Sequence, residues 1–447
     1  MTETITIIGG GLAGCEVALK LARAGHPVRL VDMKPSRLSP AHKSPLLGEL
    51  VCSNSLRAEG PTSAVGLLKA EMAILGSAVM EAAHATRVPA GRALAVNREL
   101  FAAHLDGAVG GHPLVRRENA LVETPPAEGP AVIATGPLTE GPLAQAIASL
   151  AGAGHLHFYD AIAPIVAADS VDMERAFWAD RYGEGEGDYL NCPMTTEEYR
   201  AFYQALMEGE QAPLRDFEKP QFFEGCLPIE VMAARGEKTL TFGPLKPVGL
   251  NDPVTGKRYH AVVQLRKEDA DGRYLNLVGF QTKLTHPAQD RVFRLIPALA
   301  RAEFARLGSI HRNTFVDAPR VLNPDLSLKA APHLILAGQL AGVEGYVESA
   351  ACGILAGLSV LARLSGRPFV PPPPTTAHGG LLTHLGNAAA KHFQPSNITF
   401  GLLPPLGGKK LPKKERGRGH AEQALADLAA WMKEQGMAPA ALPPILE

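Results

Sequence analysis

Two groups of residues in this 447-residue chain have types and spacings suited to chemistry. The first is the run Gly9-Gly10-Gly11-Leu12-Ala13-Gly14. It follows an alternating, β-branched segment from Thr4 to Ile8 and precedes a helix-patterned segment from Cys15 to Ala24. A second strand pattern runs from Pro27 to Val31 and ends at Asp32. In such a strand–turn–helix Gly9 permits the tight turn, Gly11 lets a pyrophosphate approach the backbone, and Gly14 lets the helix pack close to the strand. The open N–H groups and dipole of the helix start favour phosphate. An acid about 20 residues beyond the glycines accepts hydrogen bonds from ribose hydroxyls, and Asp32 is placed for that. The second group is the thiols. Cys15, Cys52, Cys192, Cys226 and Cys352 are scattered, odd in number and without a CxxC pair. That pattern predicts neither a disulfide framework nor a metal site, and it fits a reducing cytoplasm. Any cysteine chemistry then falls to single thiolates, which are strong nucleophiles.

The surrounding elements identify the nucleotide. Ala131-Val132-Ile133-Ala134-Thr135-Gly136 is an apolar strand ending in Ala-Thr-Gly. Leu334-Ile335-Leu336-Ala337-Gly338-Gln339 is another, followed by Gly342-Val343-Glu344-Gly345, Tyr346 and a long apolar helix. These resemble the second and closing motifs of FAD-binding oxidoreductases, with Gln339 where Asp is often found. The resemblance implies FAD contacts at Thr135, Gly136, Gly338, Gly342 and Gly345, and Tyr346 covering the flavin ring. The predicted fold class is α/β: an FAD-binding, Rossmann-like domain of the glutathione-reductase type with an inserted α+β domain. Its expected divisions are 1–155 for the first part of the FAD domain, 156–304 for the insertion, and 305–447 for the second part. The insertion carries alternating runs at Tyr259 to Leu265 and Tyr274 to Phe280. Beyond the stiff Pro371 to Pro374 connector come Lys409, Lys410, Lys413, Lys414, Arg416 and Arg418, then an amphipathic helix expected from about Ala421 to Lys433.

Composition bounds the partners. The 44 basic and 45 acidic residues cancel, so a polyanion would have to be met by a local patch, and Lys409 to Arg418 is the candidate. Basic runs are also commonly plain solvated surface. Met1 is followed by a strand pattern with no basic n-region or cleavable apolar stretch, so no secretory leader is expected. The most apolar segment, Ala350 to Ala362, ends at Arg363 and is too short to span a bilayer. A cytoplasmic protein without a membrane anchor is expected.

Further segments line up with one family. They include Ser39-Pro40-Ala41-His42, Val51-Cys52-Ser53-Asn54-Ser55-Leu56, Arg87-Val88-Pro89-Ala90-Gly91 and Asp188 to Met194. Phe223-Glu224-Gly225-Cys226-Leu227-Pro228, Phe242 to Leu250, His311-Arg312-Asn313-Thr314 and Gly345-Tyr346-Val347-Glu348-Ser349 continue the match. Together they resemble the methylenetetrahydrofolate–tRNA (uracil-5-)-methyltransferase (TrmFO) family, related to the MnmG/GidA flavoproteins. Ser39, Cys15, Ser396 and Thr399 depart from the usual family residues.

The resemblance implies methylation of carbon 5 of uridine 54 in the tRNA T loop, with FAD as cofactor. Methylenetetrahydrofolate would be the carbon donor and NADPH or NADH the reductant. It implies Cys226 as the nucleophile that adds to carbon 6, and Cys52 as the base that removes the carbon 5 proton. Cys15, Cys192 and Cys352 are expected to be structural. His311, Arg312 and Asn313 are expected near the folate. Lys246 and Arg92 are candidates for phosphate or the folate tail, or are solvated loop charges. Lys409 and Lys410 are candidates for tRNA. Two other readings share parts of the pattern: the wobble-uridine aminomethyl-modifying flavoproteins, and a non-catalytic, flavin-bound tRNA-binding protein.

Overall fold

A computed structural model of the chain describes residues 3–152, 155–181, 187–212, 227–269, 271–387, 393–407 and 412–440, with backbone alone at 155–162, 310–312 and 413–414. Its centre is a six-stranded sheet in the order Ser327–Leu328, Ala331–Leu336, Ala131–Ile133, Ile5–Ile8, Val28–Asp32 and Val115–Asn119. Every pairing is parallel except the edge pair Ser327–Leu328 with Ala331–Leu336. The inner strands are apolar nearly throughout because both faces are covered. Three strands expected from sequence, around residues 5, 131 and 334, therefore meet side by side at the middle of the sheet.

Two helices pack together on this sheet. Leu12–Arg23 follows the glycine turn, and Tyr346–Leu364 follows Gly345. A β-carbon on Gly353 would lie 2.5 Å from the Ala13 carbonyl oxygen, so glycine permits the contact. Tyr346–Leu364 has 19 residues and is long and apolar enough to cross a membrane, which corrects the shorter segment expected from sequence. Its most apolar window is 78% buried inside the protein, as for a core helix.

Buried carboxylates tie the outer helices down. Glu16, 1% exposed, accepts from the backbone N–H groups of Ala78 and Val79 at 3.2 and 3.0 Å, capping Ala78–Ala85. Burial pushes its carboxyl above the usual carboxylate range. Glu71 accepts from the N–H groups of Ala377 and His378 at 2.7 and 3.0 Å and lies 2.8 Å from Nδ1 of His378. That joins Ala64–Ile74 to the start of Ala377–Leu385.

A second six-stranded sheet is antiparallel, in the order Phe177–Trp178, Tyr189–Met194, Ala261–Lys267, Tyr274–Leu277, Ile165–Ala167 and Phe304–Arg306. It has its own apolar core, including Phe202, Phe280 and Phe293. The chain passes between the two sheets on the antiparallel pair His155–Ile162 and Ser309–Val316. The last helix spans Lys413–Glu434, eight residues longer at its start than expected. Pro412 precedes it, a residue tolerated at a helix start, so the basic run opens the helix instead of leading into it.

Glu71→Ala would strand two buried backbone donors and leave the buried His378 ring without its partner at Nδ1. It is expected to cost about 3 kcal/mol or more of stability, read as a lower denaturant midpoint at unchanged slope.

Candidate cofactor and active site

The glycine run forms the turn that its spacing predicts. Gly9 has φ +101, and a β-carbon on Gly14 would lie 1.8 Å from the Gly9 carbonyl oxygen, so the helix start sits against the turn as glycine alone allows. Gly11 differs, because a β-carbon there would meet nothing within 4 Å. It faces a cleft of ≈ 380 Å³. Asp32 also lines this cleft, and it first organises the turn: Oδ2 accepts from Gly10 N–H at 2.6 Å and Oδ1 from Lys34 N–H at 2.7 Å. Each oxygen keeps a lone pair for a further donor.

Other walls come from distant segments: Thr135 and Gly136 after the middle strand, Gly338 and Gln339, Gly345 to Val347, and Asn276, Val278 and Gly279 from the antiparallel sheet. The helices starting at Leu12 and Tyr346 both lack a side-chain cap, so two sets of open N–H groups and two positive dipole ends border one cleft. Three buried polar atoms on its lining residues have no hydrogen-bond partner among the described residues: Asn276 Nδ2, Asn313 Nδ2 and Ser349 Oγ. Buried polar atoms are rarely left so, and a polar ligand is the ordinary explanation. Paired helix starts, an open glycine backbone, an acid at a strand end and orphaned amides fit a dinucleotide with a polar ring system.

Cys52 lines the same cleft, half-buried. Its sulfur lies 2.8 Å from the Tyr346 hydroxyl oxygen, which also accepts from the N–H groups of Cys52 at 2.6 Å and Ser53 at 3.3 Å. Burial, then the neighbouring Cys52, push the Tyr346 phenol well above its ordinary value. The strand after Cys52 is held from both sides. Lys69 donates to the carbonyls of Leu56, Arg57 and Ala58 at 2.7, 3.2 and 2.6 Å, and burial pushes its ammonium down to about 7. Arg57, at φ +63, pairs with the fully buried Glu348 on the first turn of the Tyr346–Leu364 helix.

The structure brings Gly9, Gly10, Gly11, Leu12, Ala13, Asp32, Thr135, Gly136, Gly338, Gly345, Tyr346, Asn313 and Cys52 to one cleft. Others lie elsewhere. Gly14 is behind the turn. Gly342, at φ +101, ends a short helical turn against Phe393 and does not line the cleft, so its glycine serves packing. Arg92 is exposed beside the turn at Gly91, and Lys246 is half-buried in a loop outside the lining. Gln339, at the position where Asp is often found, donates to Glu344 at 2.8 Å. Cys15, Cys192 and Cys352 are fully buried; burial raises all three thiols, Cys352 to about 12. Cys226, Lys409 and Lys410 lie outside the described residues, as do the side chains of His311 and Arg312. Asn276, Ser349 and Arg266 are cleft residues that the sequence reading missed. Asn276 is one polar residue in an otherwise strand-patterned run, and nothing local marks it.

Sheet order, glycine turn and paired helix starts define a flavoprotein-type dinucleotide-binding protein. Comparison with known proteins narrows the class. Residues 4–368 match the family described as glucose inhibited division protein A. The fold is that of Aquifex aeolicus GidA, at TM-score 0.70 and 16% identity, over 100% of this chain and 77% of that one. A methylenetetrahydrofolate–tRNA-(uracil-5-)-methyltransferase TrmFO of Anaeromyxobacter dehalogenans (strain 2CP-1) is 59% identical over 436 residues, 96% of each chain. Another so named, from Geobacter sulfurreducens, is 57% identical over 97% of this chain and 99% of its own. The chain belongs to the TrmFO family.

Gly11→Val and Gly14→Ala separate ligand space from packing. Gly11→Val is expected to leave thermal stability of the cofactor-free protein within about 0.5 kcal/mol while weakening FAD binding about tenfold or more. Gly14→Ala is expected to cost about 1–3 kcal/mol. Calorimetry and FAD titration read the two effects.

Proposed function

We propose that the chain methylates carbon 5 of uridine 54 in the T loop of tRNA, with methylenetetrahydrofolate as carbon donor and NAD(P)H as reductant. The observation that carries this is near-full-length identity of 56–59% to several proteins of that name, joined to a cleft that holds Cys52 beside a dinucleotide-type turn. Gly9 to Ala13, Gly338 and Gly345 to Val347 would hold the FAD phosphates and ribityl chain, and Asp32 a ribose hydroxyl. Bound FAD, once reduced, supplies the electrons that turn a methylene carbon into a methyl group.

The residues do the rest. Cys226 adds to carbon 6 of the uracil, which makes carbon 5 nucleophilic. After carbon 5 has taken the one-carbon unit, Cys52 removes its proton, and elimination of the Cys226 sulfur restores the ring. Asn313 and Asn276 offer amide donors at the cleft wall that are unpaired among the described residues, suited to a folate or uracil carbonyl. The uridine must leave the loop stack to reach both thiols. Lys246, Arg92, His311, Arg312, Lys409 and Lys410 stay as candidate contacts to folate or RNA, and the division at 155 and 304 as the domain plan. The reaction is placed in the cytoplasm.

Purified protein incubated with FAD, NADPH, methylenetetrahydrofolate and an unmodified tRNA transcript is expected to form 5-methyluridine in the T loop, read by mass spectrometry. Cys226→Ala abolishes product, and Cys52→Ser lowers the rate by about 10²–10⁴. NADPH oxidation with unchanged RNA would instead assign a flavin oxidoreductase. Arg416 and Arg418 are exposed on the first turns of the last helix. Changing both to Gln is expected to weaken tRNA binding uniformly and lower the salt slope by about 1 to 2, measured by filter binding at several salt concentrations.

A further inference from the structure

The loop around Cys52 rests on an excess of positive charge. Arg98, from the helix Arg98–Gly110, pairs with Glu268 at 2.6 Å and donates to the carbonyls of Leu50 and Val51 at 3.2 and 3.3 Å. Arg266, from the strand Ala261–Lys267, donates to Asn54 Oδ1 at 3.0 Å and Ser53 Oγ at 2.9 Å. Arg306, from the strand Phe304–Arg306, donates through Nη1 to the Val51 carbonyl at 2.9 Å. Its Nε and Nη2 are buried without a hydrogen-bond partner among the described residues. Three guanidinium groups thus surround the loop. Among the described residues only Glu268 is within ion-pair distance of any of them.

The Tyr346 hydroxyl adds a proton count. A phenol oxygen carries one proton and two lone pairs. The N–H groups of Cys52 and Ser53 can only donate, and they occupy both lone pairs. The hydroxyl proton is left to be given, and the atom 2.8 Å away is Cys52 Sγ. A sulfur that accepts this hydrogen bond best is an anion. Glu268 acts on Arg306 but is paired with Arg98, so the three guanidinium groups are short of counter-charge, which is unfavourable in a buried site, and a thiolate at Cys52 supplies it.

We propose that Tyr346 and Arg306 are positioning residues that hold Cys52 as a thiolate, Tyr346 by donating its hydroxyl proton to the sulfur and Arg306 by supplying the counter-charge. Three acidic groups act on Arg306, and one of them, Glu268, is paired with Arg98; of the other two, a thiol ionises before a phenol, at about 8.5 against about 10. Burial, then the neighbouring Arg98, lower the Arg306 pKa, and the charges of Glu268, Tyr346 and Cys52 oppose that. The inference rests on the reading of Cys52 as the base and deepens it. When the base acts, the carbon 5–hydrogen bond breaks, an S–H bond forms on Cys52, and the electron pair stays on the uracil.

The test needs neither RNA nor folate. The FAD-loaded protein is alkylated with iodoacetamide across pH, and the Cys52 peptide is quantified by mass spectrometry. The wild-type rate is expected to rise through a midpoint at least about one unit below the free-thiol value of about 8.5. Tyr346→Phe and Arg306→Gln are each expected to move the midpoint up by about one unit, a roughly tenfold loss of thiolate at pH 7. Arg306→Lys, which keeps the charge, recovers most of it. A wild-type midpoint at or above about 8.5 overturns the proposal, and so does a profile that neither variant moves. Arg306 does not line the cleft, so its variants decide the matter even if Tyr346→Phe loses FAD. A shifted midpoint without 5-methyluridine formation would sink the methylation reading and leave this one standing.

Discussion

The helices Leu12–Arg23 and Tyr346–Leu364 pack so closely that a β-carbon on Gly353 would come within 2.5 Å of the Ala13 carbonyl oxygen, and this contact fixes how the two helices lie against each other. Each starts without a side-chain cap. Each therefore presents open N–H groups and the positive end of its dipole, and the packing aims both at one cleft. The glycine turn, Asp32 and the strand ends arrange themselves around that pair. Without it there would be two unrelated helix starts, each a weak anion site.

The same contact delivers Tyr346 to Cys52 across 294 residues of sequence. Glu348, two residues on, takes up Arg57 and the Ile398 N–H. One turn of one helix thus orders the cysteine loop, the strand that follows it and a segment near the C-terminus. Beneath that loop the antiparallel sheet contributes Arg266 and Arg306. The Asn54 amide ties the loop back to the same sheet by donating to the Lys267 carbonyl at 2.9 Å. Thiol and cofactor cleft are held by both sheets at once, as a reaction joining a flavin to a nucleic acid base requires.

Much of the fold was legible because it is written locally. A β-branched run, glycines at fixed spacing, a helix pattern and an acid at a strand end read as one unit, since each acts on near neighbours. Strand ends shifted by up to three residues, and the last helix began at Lys413 rather than near Ala421. A basic first turn opposes the helix dipole; what overrides it is packing, with Gly417 set against the Thr62 carbonyl. Gly342 carries a demand that no local pattern marks: a β-carbon there would come within 2.6 Å of the Phe393 ring.

By itself the sequence determined the nucleotide turn, because that depends on residue type and short spacing, and through the resemblance of its motifs to known ones it pointed to FAD over NAD, the two cysteine motifs and the family. Tertiary structure decided what surrounds the chemistry: the Tyr346 hydroxyl on Cys52, the unpaired amides of Asn276 and Asn313, and three guanidinium groups under one loop. None of these has a local signature. Each is a meeting of side chains hundreds of residues apart, or on opposite sheets, and electrostatic balance in a buried site belongs to the set of charges that folding collects.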